Sequence, residues 1–432
     1  MTASRSTQPA AIATASNDQV LLVISAYAGL FILFGLLVSG PIEAVHGLGS
    51  ILVVRDTLIT DYIGVGGIGG AFLNTGLLTL ISVLIYRWSG AKIGGAAIAC
   101  LFLVLGFGLF GKNLLNIWFI VLGVFLYAKF KGEAFAAHIN TAFFGAALSP
   151  IFSEIVFGST LPVSVSLPLG AATMLVIGFA LVPAAAQLFK AHMGFSLYNM
   201  GFTAGVVGAI VVAIYKSYGF LPDPVFVWST GNNWLLGAFL YAIFTSMIAL
   251  GLWFDRTAFS GVVAIMRLSG QSPSDFTEKA GFGAALVNMA LTGAIGTSYV
   301  LLVGGDLNGP TIGAVFTIVG FSAYGKHPRN IVPIMAGVVL GSIFKPWNIA
   351  DPTIVLAALF GTTLAPIAGR FGWHWGIVAG FVHSSVAQSV GVLYGGLNLY
   401  NNGFAAGLVA SVLVPIILAL RKPEEGKEEP ER

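Results

Sequence analysis

Long apolar segments recur along the whole chain and leave few folds open to it. A helix needs about 20 apolar residues to cross the ~30 Å hydrocarbon core of a bilayer, and many segments reach or approach that length. Charged residues make up only 9% of the sequence, whereas a soluble domain carries about 25%. Backbone groups in lipid must bond within their own segment, and the sequence shows none of the short alternating strands of a membrane β-barrel. The pattern predicts an all-α polytopic membrane protein.

The apolar segments form two sets of seven. The first set lies at 20–39, 63–86, 93–110, 114–130, 134–148, 167–189 and 197–216. The second set lies at 234–254, 281–303, 309–324, 330–344, 352–367, 371–392 and 400–420. This indicates about fourteen transmembrane segments. The alternative is five or six spans per half plus re-entrant hairpins, because 134–148 and 352–367 are short enough either to span or to re-enter.

The two sets are related by an internal duplication. GGAFLNTG around Asn74 matches GAALVNMA around Asn288, and GFGLFGKNLLNI around Lys112 matches GFSAYGKHPRNI around Lys326. Both pairs are offset by 214 residues (288 − 74 and 326 − 112). A later pair, LYNMGFTAG and LYNNGFAAG, has an offset of 202. A constant offset over separated motifs indicates two homologous halves.

Seven segments per half would place the halves in opposite orientations, and the loop charges agree with this. Lys and Arg collect in cytoplasmic loops. With both termini inside, the loop of Arg87 and Lys92 is cytoplasmic and its acidic counterpart, GGDLNG at 304–309, is outside. We therefore expect a cytoplasmic tail at 1–19, repeats at 20–230 and 231–420, and a charged cytoplasmic tail at 421–432, in a bacterial inner membrane.

Several other classes of protein lack support in the sequence. The net charge of +3 is spread over short loops with no basic stripe, so a nucleic-acid partner is not expected. No Walker A, zinc-binding HExxH or nucleophile-elbow GxSxG motif is present. We expect no cofactor, no metal site, no catalytic set and hence no enzyme. The expected partners are the lipid bilayer, a small solute and a coupling ion (H⁺ or Na⁺). A homo-oligomer would add further copies of the chain.

Matched asparagines within apolar segments are candidates for contact with a solute. Asn74 and Asn288 offer amide donors and acceptors, and they either bind a solute or bridge helices. Asn199 and Asn401 stand in the repeated Leu-Tyr-Asn motif, where they either cap a helix or face a pore. Inverted repeats bring matched positions together near the bilayer midplane.

The two Gly-Lys turns are the most specific polar feature. Lys112 with Asn116 matches Lys326 with Asn330. Either the turns lie at the interface with their cations reaching towards water, or they form a cationic site that attracts an anion or a carbonyl group.

Two ionisable residues inside apolar stretches complete the candidates. Glu154 is an intramembrane carboxylate, which is costly and therefore a functional candidate unless it lies at the interface. His383 stands beside serines and Gln388, so it either lines a polar path or is a buried structural histidine.

The pieces GKNLLNIW and GKHPRNIVPIMAGVVLGS resemble a family of duplicated bacterial membrane proteins of unknown function, over about residues 60–420. That resemblance implies the duplication but no activity. A looser similarity is to urea transporters, although their paired Leu-Pro-x-x-Thr-x-Pro-Phe motif is missing. Seven plus seven inverted spans are also similar to the uracil-permease architecture.

Together these features predict a secondary transporter for a small polar or anionic solute, bound between the inverted halves and moved by alternating access. The alternatives are a passive channel of the urea-transporter type, a membrane-embedded enzyme and a structural subunit.

Overall fold

The computed structural model describes residues 15–421, which are helical over most of their length. The helices of the first half are α1 Asn17–Ser39, α2 Pro41–Leu52, α3 Tyr62–Ser89, α4 Gly95–Phe107, α5 Trp118–Lys131, α6 Ile139–Gly145, α7 Ser149–Ser153, α8 Val163–His192 and α9 Asn199–Ser217. Those of the second half are α10 Asn233–Phe254, α11 Ala258–Ile265, α12 Phe276–Ala280, α13 Phe282–Leu302, α14 Gly309–Phe321, α15 Pro328–Phe344, α16 Pro352–Gly361, α17 Ala365–Phe371, α18 Trp373–Ser389 and α19 Asn401–Leu420. The strands, β1 Ile59–Thr60 and β2 Phe226–Val227, form one parallel pair.

Ten helical segments in residues 15–421 are long and apolar enough to cross a bilayer, and they divide evenly between the halves. In the first half they are α1, α3, Ile139–Gly158, α8 and α9. In the second half they are α10, α13, Pro352–Phe371, Trp373–Tyr394 and α19. The prediction of an all-helical polytopic membrane protein is confirmed. Of the two counts left open, five long spans per half with additional short helices is the one observed.

The segments predicted to cross separately at 93–110 and 114–130 instead form a hairpin, α4–α5, with a buried tip, and those at 309–324 and 330–344 form its counterpart, α14–α15. Helix α4 has 13 residues and is about 20 Å long, shorter than the hydrocarbon core. The rings of Trp88, near the end of α3, and Phe125, in the second half of α5, are 6.4 Å apart. The hairpin therefore returns towards the face from which it started. Hydropathy misses this because protein, rather than water, covers the tip.

The two short segments of the sequence prediction belong to longer, broken helices. Residues predicted at 134–148 extend to Gly158, and those predicted at 352–367 extend to Phe371. Each helix is interrupted by a 3₁₀ turn, at Ala146–Leu148 and at Thr362–Leu364. The breaks occupy matched positions in the two halves, and both turns are fully buried.

The central helices α4 and α14 pack against each other in opposite directions. A Cβ atom added to Gly106 would lie 2.7 Å from Gly313 O, and one added to Gly320 would lie 2.9 Å from Ala99 O. Seven residues separate the two contacts on each helix, which is about 10 Å of rise. Contacts that ascend one helix while descending the other require antiparallel packing. Since α4 and α14 are matched elements, the halves are inverted relative to each other.

The core of the molecule lies along this central pair. All thirteen residues of α14 are buried, and so are all of α4 except Ala96. The outer helices surround the pair in the same way in both halves, because α1 packs on α3 as α10 packs on α13, and α5 packs on α8 as α15 packs on α18. The tails predicted at 1–19 and 421–432 lie mostly outside the described residues. Helix α1 begins at Asn17 with a Ser16–Gln19 capping box.

Candidate solute site between the two halves

The buried helices α4 and α14 each receive a carboxylate from the opposite half at the N-terminus. Asp61 Oδ1 accepts from Gly309 N at 3.0 Å, and Asp275 Oδ2 accepts from Gly95 N at 2.7 Å. A carboxylate is favourable there because the first backbone N–H groups of a helix carry partial positive charge. The matched aspartates therefore fasten the halves together reciprocally.

Asn74 and Asn288 connect the long helices α3 and α13 to the tips of the two hairpins. Asn74 Nδ2 donates to the carbonyl oxygens of Gly108 and Lys112 at 2.7 and 3.0 Å. Asn288 makes the corresponding pair of bonds, both 2.8 Å long, to the carbonyls 34 and 38 residues further along the chain. Neither asparagine lines either of the cavities described below. Their observed bonds are those of a helix-to-turn bridge.

Asn116 and Asn330 shape the turns themselves. Their Nδ2 atoms donate to Gly111 O at 3.1 Å and to Gly325 O at 3.0 Å. The Oδ1 atom of each accepts the backbone N–H three residues before it, at 2.9 Å. The two amides close corresponding turns, one in each half, with the same bonds. The repeated sequence at these turns therefore encodes a specific backbone conformation.

The lysines of the turns reach across to tyrosines of the opposite half. Lys112 Nζ donates to Tyr400 OH at 2.6 Å, and Lys326 Nζ donates to Tyr198 OH. The ammonium groups lie 4.9 and 4.4 Å from the centroids of these rings, within cation–π distance. Each lysine donates once more, to the broken helix of its own half. The Gly-Lys and Leu-Tyr-Asn motifs thus meet reciprocally.

Neither lysine has an acidic partner. Both side chains are fully buried, and none of the ion pairs in residues 15–421 includes Lys112 or Lys326. A buried ammonium without a counter-charge loses hydration that hydrogen bonds only partly replace, a loss of several kcal/mol. Burial therefore disfavours the ammonium form of both lysines, and a negative charge bound at the interface of the halves would stabilise it.

Helices α9 and α19 cross each other at matched glycines. A Cβ atom on Gly201 would lie 2.8 Å from Gly403 Cα, and one on Gly403 would lie 2.9 Å from Gly201 Cα. The rings of Phe202 and Phe404 stack beside the crossing with centroids 6.0 Å apart. This self-matched contact places the pseudo-two-fold axis between the two glycines.

The Leu-Tyr-Asn motifs also bond to the broken helices of the opposite half. Leu197 N donates to Thr363 O at 3.1 Å, and Leu399 N donates to Ala147 O at 3.0 Å. The 3₁₀ turns leave these two carbonyl oxygens without a partner in their own helix, and the N–H groups of Leu197 and Leu399 supply the missing hydrogen bonds. Each motif is therefore held by elements from both halves.

A cavity of about 230 Å³ lies beside the crossing and is built from both halves. Seven matched pairs contribute to its wall: Leu103 and Thr317, Phe107 and Phe321, Phe144 and Phe360, Leu197 and Leu399, Tyr198 and Tyr400, Met200 and Asn402, and Gly201 and Gly403. The wall is mainly aromatic and aliphatic, with a few amides and hydroxyls. We call this space the central cavity.

A smaller cavity of about 120 Å³ adjoins the central one. Leu58 and Ile59, which follow α2, contribute to its wall. Phe360, Leu399 and Asn402 line both cavities. These three residues are the partition between the two spaces.

Asn199 and Asn401 occupy different cavities. Asn199 lines the central cavity and Asn401 the smaller one. Their Nδ2 atoms donate to Ala185 O at 3.1 Å and to Ala387 O at 2.9 Å, on the preceding long helices. Neither side chain caps its own helix, so the cap interpretation is wrong.

Glu154 and His383 have defined partners. Glu154 is buried and forms a two-point ion pair with Arg55, in which Nη2 lies 2.6 Å from Oε1. His383 Nε2 lies 3.2 Å from Oδ1 of Asn402 and so contacts one of the three partition residues. Within the described part of the chain, no three His, Cys, Asp or Glu side chains cluster closely enough to hold a metal ion.

Sequence reasoning missed the aromatic residues of the central cavity. Tyr198 and Tyr400 stand in the repeated Leu-Tyr-Asn motif, and Phe107 and Phe321 open the repeated Gly-Phe segment before the Gly-Lys turns. Their repetition at constant offsets was a usable signal. Polarity alone does not reveal it, because an aromatic residue in an apolar span has the same polarity in a cavity wall as in the core.

Comparison with known proteins supports the duplication and supplies no activity. No curated protein and no solved structure matches the chain. A family model described as a protein of unknown function (DUF1576) matches twice, at residues 41–217 and at residues 254–419. The matches fall one in each half, as the resemblance to a duplicated family predicted. The chain therefore belongs to the DUF1576 family of proteins of unknown function.

Proposed function

We propose that this protein is a secondary transporter that carries a small polar or anionic solute across the bacterial inner membrane by alternating access. The observation that carries the proposal is the central cavity, whose wall is built from matched residues of two inverted halves. Binding between inverted repeats is the usual arrangement in secondary transporters, because each half can then close the site from one side.

The cavity argues for a small solute with an apolar body. Its volume of about 230 Å³ is below the ~300–1,000 Å³ of pockets that hold drug-sized ligands. Most of the wall is aromatic or aliphatic, and the polar groups are few.

The flanking cations favour the anionic alternative. Tyr198 and Tyr400 line the cavity and accept hydrogen bonds from Lys326 and Lys112. A phenol that accepts from an ammonium becomes a better donor, since hydrogen bonds in a chain polarise one another. A carboxylate or similar oxyanion would accept from these phenols and offset the two buried charges.

The two cavities fit alternating access. They share Phe360, Leu399 and Asn402, so a modest movement of this partition would connect the spaces. Phe360 lies two residues before the break at Thr362–Leu364, and Leu399 N donates to Ala147 O of the other half. Asn402 precedes Gly403 at the α9–α19 crossing. Such junctions can shift as units without unfolding a helix.

Both termini are proposed to be cytoplasmic. Arg87 and Lys92 follow α3, and Lys129 and Lys131 end α5. The contact between Trp88 and the second half of α5 brings these cations towards one face. An excess of Lys and Arg in short loops marks the cytoplasmic side.

The proposal is tested by thermal-shift screening of purified protein against small organic acids and neutral solutes, followed by uptake of the best ligand into proteoliposomes. Tyr198→Phe and Tyr400→Phe should each weaken binding by roughly 5–30-fold, the equivalent of one hydrogen bond of ~1–2 kcal/mol. Tyr241→Phe is the matched control, because Tyr241 bonds Ser298 away from either cavity. Saturable, gradient-dependent uptake supports a carrier. Non-saturable flux would favour a channel, and no uptake of any stabilising ligand would overturn the proposal.

A further inference from the structure

A carboxylate is buried in the loop after α2, and one of its two oxygens has no hydrogen-bond partner. Asp56, in the loop after α2, has no exposed surface. Its Oδ2 atom accepts from Ser153 Oγ at 2.9 Å, from Asn116 Nδ2 at 3.0 Å and from Asn113 Nδ2 at 3.3 Å. Its Oδ1 atom has no hydrogen-bond partner among residues 15–421.

No fixed cation neutralises this group. The neighbouring Arg55 pairs with Glu154 and approaches Asp223 at 3.6 Å, and no ion pair of the described chain includes Asp56. Tyr62 is the remaining titratable neighbour, since its hydroxyl interacts with the Asp56 carboxyl group and also accepts from Asn113 Nδ2 at 3.2 Å. A buried carboxylate without a counter-charge is costly unless it holds a proton or an ion.

The second half shows that the fold does not require this carboxylate. With the offset of 214 residues, Asp56 corresponds to Gly270, while Asn116 corresponds to Asn330. Asn330 Nδ2 donates to Gly325 O at 3.0 Å. Its second acceptor is a backbone carbonyl, Ser269 O at 3.5 Å, whereas Asn116 donates to the Asp56 carboxylate. A Cβ atom on Gly270 would lie 1.9 Å from Gly325 O, so no side chain fits there. One half thus forms the same turn without an acid.

We propose that Asp56 is the group that binds and releases the coupling proton of the transporter, an assignment that rests on the proposed function. In one state the carboxyl group carries the proton on Oδ1. In the other state the proton has passed to water, and Oδ2 keeps its three donors. Leu58 and Ile59 line that cavity two and three residues after Asp56, and Asp61 of the same loop caps α14. Protonation is therefore linked to the wall of the smaller cavity and to the central helix pair.

Infrared difference spectroscopy of the reconstituted full-length protein tests the assignment without a solute. Between about pH 5 and about pH 9, the range in which buried carboxyl groups can titrate, the wild type should lose the carbonyl stretch of a protonated carboxyl group. Asp56→Asn, which has the shape of the protonated group, should remove that change. Ser153→Ala should shift the band, because it removes a donor to Oδ2. Glu154→Gln, which alters the neighbouring buried acid, should keep the band unshifted.

An unchanged difference band in Asp56→Asn would overturn the proposal. So would stabilisation of the wild type by NaCl over choline chloride that Asp56→Asn abolishes, because that result assigns a sodium site. If Asp56→Asn does not fold, Asp56→Ser gives the same readout, and ¹³C-labelled aspartate in the wild type shows that the band belongs to an aspartate. Once a solute is known, Asp56→Asn should abolish accumulation driven by a pH gradient and keep solute exchange. Failure to find any solute contradicts the transport function but does not alter the infrared result.

Discussion

At the scale of single residues, the matched polar side chains divide into those that hold the turns and those that approach the cavity. The Nδ2 groups of Asn74 and Asn288 donate both of their hydrogen bonds to backbone carbonyls of the hairpin tips. Lys112 and Lys326 extend from the same tips to the tyrosines of the cavity wall. The sequence left a structural role and a solute contact open for both pairs, because polarity within an apolar span does not reveal whether a partner is backbone or solute.

The asparagines are expected to act on stability. Asn74→Ala or Asn288→Ala leaves two buried carbonyls without donors, so each change should reduce stability by about 1–3 kcal/mol. The affinity per folded molecule should stay near that of the wild type. Melting temperature and ligand titration of both variants separate the two roles. Weaker binding at an unchanged melting temperature would restore these asparagines as solute ligands.

The lysines are expected to act on binding. Lys112→Met or Lys326→Met removes a buried charge and keeps an apolar chain of similar length, a change that is often neutral or stabilising. The melting temperature should therefore hold or rise, while affinity for an organic anion falls at least ~10-fold, as for loss of ~1.4 kcal/mol. Lys129→Met, at an exposed position on α5, is the control. A large fall in melting temperature with intact affinity would make the lysines structural.

At the scale of elements, the arrangement depends on close crossings that small residues permit. The offsets of 214 and 202 predicted which helices correspond, but not which ones touch. Gly201 and Gly403, for example, face each other across the pseudo-two-fold axis. The buried hairpin tips could not be derived from hydropathy, since GFGLFGKN would be equally polar beneath a protein cover or in water. Cross-half bonds such as Lys112 to Tyr400 join residues 288 positions apart, beyond any local pattern.

A methyl group at the crossing should disturb it. Gly201→Ala or Gly403→Ala places a Cβ atom within 3 Å of the facing backbone, and such overpacking costs about 1–3 kcal/mol. We expect a lower melting temperature and reduced uptake for either variant. Gly29→Ala is the matched control within α1, where an added Cβ meets nothing within 4 Å. Equal melting temperatures for Gly201→Ala and Gly29→Ala would show that the helices do not cross as described.

At the scale of the whole molecule, inversion follows from two independent features. The number of long spans per half is odd, and the matched helices α4 and α14 are antiparallel. The sequence predicted seven crossings per half instead of five, and both numbers are odd. The two extra crossings are the short helix pair, which enters and leaves on the same side and so does not change the orientation of the half. The loop charges therefore give the same expected orientation whether the segments 93–110 and 114–130 cross separately or form a hairpin.

The orientation itself is testable with introduced cysteines. The native Cys100 is fully buried and should not react with polar reagents. Asp223→Cys, in the exposed loop after α9, should be labelled from the periplasmic side in intact spheroplasts. Glu133→Cys, after α5, should be labelled only once the membrane is opened. The reverse pattern would invert the proposed topology.

The central claim is that one solute site lies between the halves, and filling the cavity tests it most directly. Phe144 and Phe360 are matched residues of the wall. Phe144→Trp and Phe360→Trp enlarge the wall from opposite halves, and Phe130→Trp, at a largely exposed ring on α5, does not. Proteoliposome uptake should be lost in both wall variants, with the folded fraction unchanged, and kept in Phe130→Trp. Wild-type uptake by either well-folded wall variant would contradict a shared central site.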